Sequence, residues 1–145
     1  MYSGRLFEFD FCGKVADYCS GSRAIYKSWY DSAREIIRKF SRGANNPANW
    51  DVSDPHGLCS DLFYYVATAL KVDHMTELEV YPAFGSAFDI YHGVDLFFKY
   101  RGRFCTIDLS CNPYKATYKA DVMICPDDDL EEIATEIANV LRCKV

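Results

Sequence analysis

Residues 89–110 constrain the fold more than any other stretch. Two apolar runs, Asp89 to Tyr100 and Phe104 to Ser110, flank Arg101-Gly102. Such runs on either side of a short glycine-containing turn predict an antiparallel hairpin. The length of the turn decides which residues share a face, because side chains alternate along a strand. A three-residue loop, Tyr100-Arg101-Gly102 with Gly102 left-handed, pairs Lys99 with Arg103 and sets His92 and Asp108 diagonally on one face. A two-residue loop, Arg101-Gly102, turns them to opposite faces. The sequence leaves both registers open.

The rest of the chain supplies the layers that cover this hairpin. Phe7, Phe9 and Phe11 alternate with Glu8 and Asp10, which predicts a half-buried strand. A helical turn is expected over Lys14 to Cys19. Residues 22–42 predict a helix with Ile25, Trp29, Ala33, Ile36, Ile37 and Phe40 on one face, Ser22 at its start and Gly43 at its stop. Residues 43–57 form a loop rich in Asn, Asp, Pro and Gly. A second helix runs from about Leu58 to Val72, and strands are expected over Glu77 to Tyr81 and Ala120 to Cys125. Asp127-Asp128-Asp129 cap a last helix with Leu130, Ile133, Ile137 and Leu141 inward. The order β-α-α-β-β-β-β-α predicts one α+β domain over residues 1–145, with helices packed on an antiparallel sheet.

Composition excludes several classes. Half of the residues are hydrophobic and 16% are aromatic, too rich for general disorder. The longest apolar run, Leu62 to Leu70, falls short of the ~20 residues of a membrane span. A net charge of −5 argues against nucleic acid as a main partner, since phosphate binding draws on a concentrated basic face. The seven cysteines are odd in number, none lies in a C-x-x-C pair, and Met1 to Arg5 carries no apolar leader. Reduced thiols in a cytoplasmic compartment are the expectation. The three histidines lack partners at ligand spacing, so neither a metal nor an organic cofactor is expected.

One constellation has the residue types of a nucleophilic enzyme. Cys59 falls where the long loop enters the second helix, and unpaired N–H groups at a helix start favour a thiolate. Its own backbone N–H is a ready oxyanion donor. His92 on the first hairpin strand is the candidate base, and Asp108 on the second is the group that orients it. Trp50, Asn49 and Asn46 in the long loop are candidate oxyanion side chains. His56, three residues before Cys59, is a weaker rival for the base.

The segment Gly57-Leu58-Cys59-Ser60-Asp61-Leu62 resembles the start of the nucleophile helix in the transglutaminase-like branch of the papain-like cysteine enzymes. His92-Gly93-Val94-Asp95-Leu96-Phe97, then Arg101-Gly102-Arg103-Phe104 and Ile107-Asp108-Leu109-Ser110, resembles the second block of that superfamily. The likeness spans about residues 57–112. It implies a papain-like core in which Cys59 is nucleophile, His92 general base and acid, and Asp108 the orienting carboxylate. It further implies acyl transfer from an amide bond of a peptide or protein, without cofactor. Two other readings stand beside it. One is a non-catalytic protein-binding or inhibitor module, fed by tyrosines such as Tyr26, Tyr30, Tyr64, Tyr91, Tyr114 and Tyr118. The other rests on Asp95 with Asp108-Leu109-Ser110, which resembles the D…(D/E)-x-K metal site of restriction-type nucleases, with Ser110 where the lysine stands. The oligomeric state is not legible.

Overall fold

The computed structural model describes residues 2–18, 24–41, 49–115 and 117–142. The chain opens with helices α1 (Gly4–Cys12), α2 (Val15–Tyr18), α3 (Trp29–Ser41) and α4 (Leu58–Leu70). Strand β1 (Leu78–Pro82), the short helix α5 (Ala87–His92), the hairpin β2 (Leu96–Tyr100) and β3 (Arg103–Leu109), strand β4 (Val122–Ile124) and helix α6 (Leu130–Arg142) follow. The fold is α+β, as expected.

The sheet has the order β1-β2-β3-β4. The first three strands form an antiparallel meander, but β4 runs parallel to β3, pairing Ile107 with Val122 and Leu109 with Ile124. The sheet is therefore mixed, not antiparallel throughout. A parallel neighbour needs a crossover connection, and residues 110–121 make it.

Alternation sorts the side chains of the sheet. Phe98 stacks on Phe63 of α4, at 6.4 Å between ring centroids, on one face. On the other, Phe97 meets Tyr81, Phe104 and Phe88, while Trp29 of α3 packs edge-on against Phe88 and Phe104. Helices α4 and α6 lie against each other, and α6 covers β3 and β4. Leu62, Val66, Ile133, Ile137 and Leu141 line this contact and are buried. One continuous apolar cluster joins both faces.

Three expectations need correction. Residues 4–12 are a helix, not a strand. Phe7 and Phe11 satisfy both a period of two and a spacing of four, but Phe9 is exposed and the Ser3 hydroxyl caps the helix by accepting from the Leu6 N–H. Helix α3 begins at Trp29, where the Ser28 hydroxyl accepts from the Asp31 N–H, and Ile25 is 79% exposed. The Ser22 cap and Gly43 stop lie outside the described residues. The segment from Asp89 to His92 is helical rather than extended. Gly93, at φ 68°, closes α5 in the left-handed conformation that favours glycine.

Candidate functional site

The hairpin turn settles the register. Arg101 and Gly102 have φ of 50° and 76°, the two positive values of a two-residue turn of type I′. Tyr100 pairs Arg103 and Leu96 pairs Ile107. Paired numbers therefore sum to 203, and the three-residue loop that sets His92 diagonal to Asp108 is not formed.

Each residue of the expected triad has another partner. Cys59 is in the first turn of α4 and fully buried. Its thiol lies against that of Cys12, and burial together with the Cys59 contact pushes the Cys12 thiol well above its ordinary range. His92 ends α5, with its Nε2 2.8 Å from the Lys27 carbonyl. Asp108, near the end of β3, receives Lys115 Nζ at 2.5 Å. Among the described residues no hydrogen bond links Cys59 to His92, or His92 to Asp108. Of the oxyanion candidates, Trp50 is buried and donates its indole N–H to the Val80 carbonyl at 3.0 Å, a packing role. Asn49 is exposed with φ of 54°, and its carbonyl faces His56 Nε2 at 3.4 Å. Asn46 lies outside the described residues.

What the two-residue turn brings together is a group of carboxylates. One step past Leu96–Ile107, Asp95 comes level with Asp108. The Asp95 N–H donates to the Ile107 carbonyl at 2.8 Å, and the Leu109 N–H donates to Asp95 Oδ2 at 2.7 Å. Asp95 thus holds the residues on both sides of Asp108. Both aspartates are buried, at 6% and 7% exposure. Asp89 of α5 joins them and takes the Gly85 N–H on its Oδ2 at 2.8 Å. Glu8 approaches from α1.

The electrostatics follow from this crowding. Burial, then the Asp89 charge, push Asp95 up to about 9 against the Leu109 N–H, with smaller contributions from Glu8 and Asp108. Burial and Asp89 raise Glu8 to about 7. Burial raises Asp89 too, opposed by its bonds to Gly85 and Asp95. Buried like charges disfavour ionisation. Lys115 supplies one cation at Asp108, and the Arg5 charge opposes part of the rise at Glu8.

The group opens to solvent beside Asp108. A cavity of about 360 Å³ is lined by Ile90, Gly93, Asp108, Lys115, Tyr118 and Lys119. Sequence reasoning singled out Asp95 and Asp108 but missed Glu8, Asp89, Lys115 and Lys119 as neighbours. The two aspartates announce themselves as charges next to apolar strand residues, whereas only the tertiary fold delivers the others. Among the described residues no group of three or more His, Cys, Asp or Glu side chains is placed to hold a metal ion. The five described cysteines are free thiols, and no described helix is long and apolar enough to cross a membrane. No family model, curated protein or solved structure matches the chain.

Proposed function

We propose that the chain is a divalent-cation-dependent phosphodiesterase, acting in the manner of a nuclease at Asp95 and Asp108. The observation that carries this reading is the hairpin end, where Asp95 brackets Asp108 at the wall of a cavity that also holds Lys115 and Lys119. Asp108 at the cavity wall, with Asp95 behind it, offers the one or two carboxylates that magnesium takes beside several waters and the substrate's phosphate, without an all-protein cage. When bound there, the ion supplies charge neutralisation at the phosphoryl group and lowers the pKa of a coordinated water. Asp108 would hold it, Asp95 would join once the cation displaces its proton, and the Leu109 N–H fixes the rotamer of Asp95. Lys115 is positioned to trade its bond to Asp108 for a non-bridging phosphate oxygen and so balance the charge that develops there. In the overall step a water oxygen bonds to phosphorus and one P–O ester bond breaks. One water proton ends on the leaving alkoxide, giving an alcohol and a phosphomonoester.

The net charge of −5 is an average over the whole chain, whereas the substrate meets two lysines at the cavity wall. Acyl transfer by Cys59 takes second place: the residue is in the first turn of α4, but its thiol is enclosed and His92 is bound elsewhere.

The test is release of nitrophenolate from bis(p-nitrophenyl) phosphate with magnesium or manganese. Asp95→Asn and Asp108→Asn should each lower the rate by on the order of 100-fold or more. EDTA should abolish the activity, and Cys59→Ser should leave it intact. Absence of cation-dependent release, or full activity in Asp108→Asn, overturns the proposal.

A further inference from the structure

The cavity beside Asp108 carries one aromatic ring in its lining, and two more lie next to it. Tyr118 lines the cavity at 44% exposure and has no ring or hydrogen-bond partner among the described contacts. Beside the cavity, Tyr91 and Tyr26 meet edge-on, with centroids 5.2 Å apart at 78°. They are 37% and 62% exposed, and Tyr26 also leans on His92 at 5.9 Å. The Tyr91 hydroxyl donates to the Ala24 carbonyl at 3.0 Å, which holds the ring in place. Lys119 lies between the two aromatic positions, with its Nζ 3.4 Å from the Tyr91 carbonyl, and Lys115 borders the cavity floor at Asp108. Ile90, 54% exposed, completes the apolar rim.

Exposed rings interleaved with lysines are what unpaired bases need. A base stacks on an aromatic face whatever its sequence, while the lysines follow the phosphates. A paired base hides its faces in the stack and has nothing to offer Tyr118. The cavity is of the size of a small-ligand pocket. We infer that this surface binds single-stranded nucleic acid, with one unpaired base on Tyr118, a neighbouring base against Tyr91 and Tyr26, and the intervening phosphate at Lys115 and Lys119. The inference deepens the phosphodiesterase reading and rests on it for the cation, which offsets the carboxylates facing the phosphate.

The experiment is fluorescence anisotropy of labelled 12-mers of dT and U, and of a 12-base-pair duplex, with calcium present. The single strands should bind at least about 10-fold more tightly than the duplex. Tyr118→Ala should weaken single-strand binding by roughly 10-fold and Tyr118→Phe should restore it, since stacking needs the ring and not the hydroxyl. Tyr118 is exposed and unpartnered, so both variants should keep the wild-type melting temperature. Equal affinity for the duplex, or an unchanged affinity in Tyr118→Ala, overturns the inference even if bis(p-nitrophenyl) phosphate is hydrolysed. Single-strand binding with the expected variant pattern but no hydrolysis of the small diester upholds the surface and overturns the phosphodiesterase instead.

Discussion

Cys59 and Asp108 stand at the ends of their elements, yet their surroundings differ in kind. Cys59 is sealed. Gly57, just before α4, has φ of 64° and ψ of −148°, and a side chain there would come within 2.8 Å of the Phe11 carbonyl. The N-terminus of α4 is thus pressed onto the end of α1, with Cys12 and Cys59 between them. Asp108 has the opposite setting: little of its side chain is exposed, yet it borders a cavity and pairs with a lysine that is open to solvent. A reactive group needs both a suitable electronic environment and a path. In this pair of sites only Asp108 has the path.

That contrast can be broken experimentally, beginning with the largest effect. Under limiting iodoacetamide, Cys111, which is partly exposed, should be alkylated first among the five described thiols. Cys12 and Cys59 should react roughly 100-fold more slowly, through local opening alone. Peptide mass spectrometry reads each thiol in one sample. Fast alkylation of Cys59, lost in His92→Ala, would reverse the ranking of the two sites.

The seal itself is open to a stability measurement. Gly57→Ala adds a methyl group against backbone, at a backbone conformation nearly confined to glycine. It should cost about 2–4 kcal/mol in urea unfolding. A loss under ~0.5 kcal/mol would mean that α1 and α4 separate easily and that Cys59 is accessible after all.

The smallest effect belongs to the carboxylates and carries a definite sign. Asp95 is protonated in the native state up to about pH 9, but ionises near 3.9 when unfolded. Between those values the native state holds more protons than the unfolded one, so stability falls as pH rises. Glu8, at about 7, acts in the same direction. The melting temperature should fall steadily as the pH rises from 5.5 to 8.5. Asp95→Asn should flatten much of that slope, and magnesium should restore wild-type stability at pH 8.5 by binding the native state. A melting temperature that rises over this range would contradict the crowding of Asp89, Asp95, Asp108 and Glu8.

The parts of the fold that were legible in the sequence are those set by local periodicity. Helices α4 and α6 repeat apolar residues at helical spacing, and β1 and β4 are short apolar runs near where they were expected. Helix α1 was misread because Phe7 and Phe11 fit either period, and the deciding signal was the cap at Ser3. Helix α5 was absorbed into the hairpin because its stop at Gly93 stands inside an apolar stretch. The parallel pairing of β4 is non-local, and no residue pattern announces it. The site follows the same rule. Asp95 and Asp108 were visible because charge is costly beside a buried strand. Glu8 and Asp89 come from other elements, and only packing brings them near. The triad depended on the hairpin register, a property of the turn's backbone that composition does not fix.

The turn at Arg101-Gly102 therefore acts as a parity device. Strand side chains repeat every second residue, so an even loop and an odd loop specify different neighbours from the same flanking sequence. One residue inserted after Gly102 would make a three-residue loop, which keeps the same strand pairs only by taking up a bulge with a left-handed residue. Two inserted residues would keep every pair intact and only lengthen the tip.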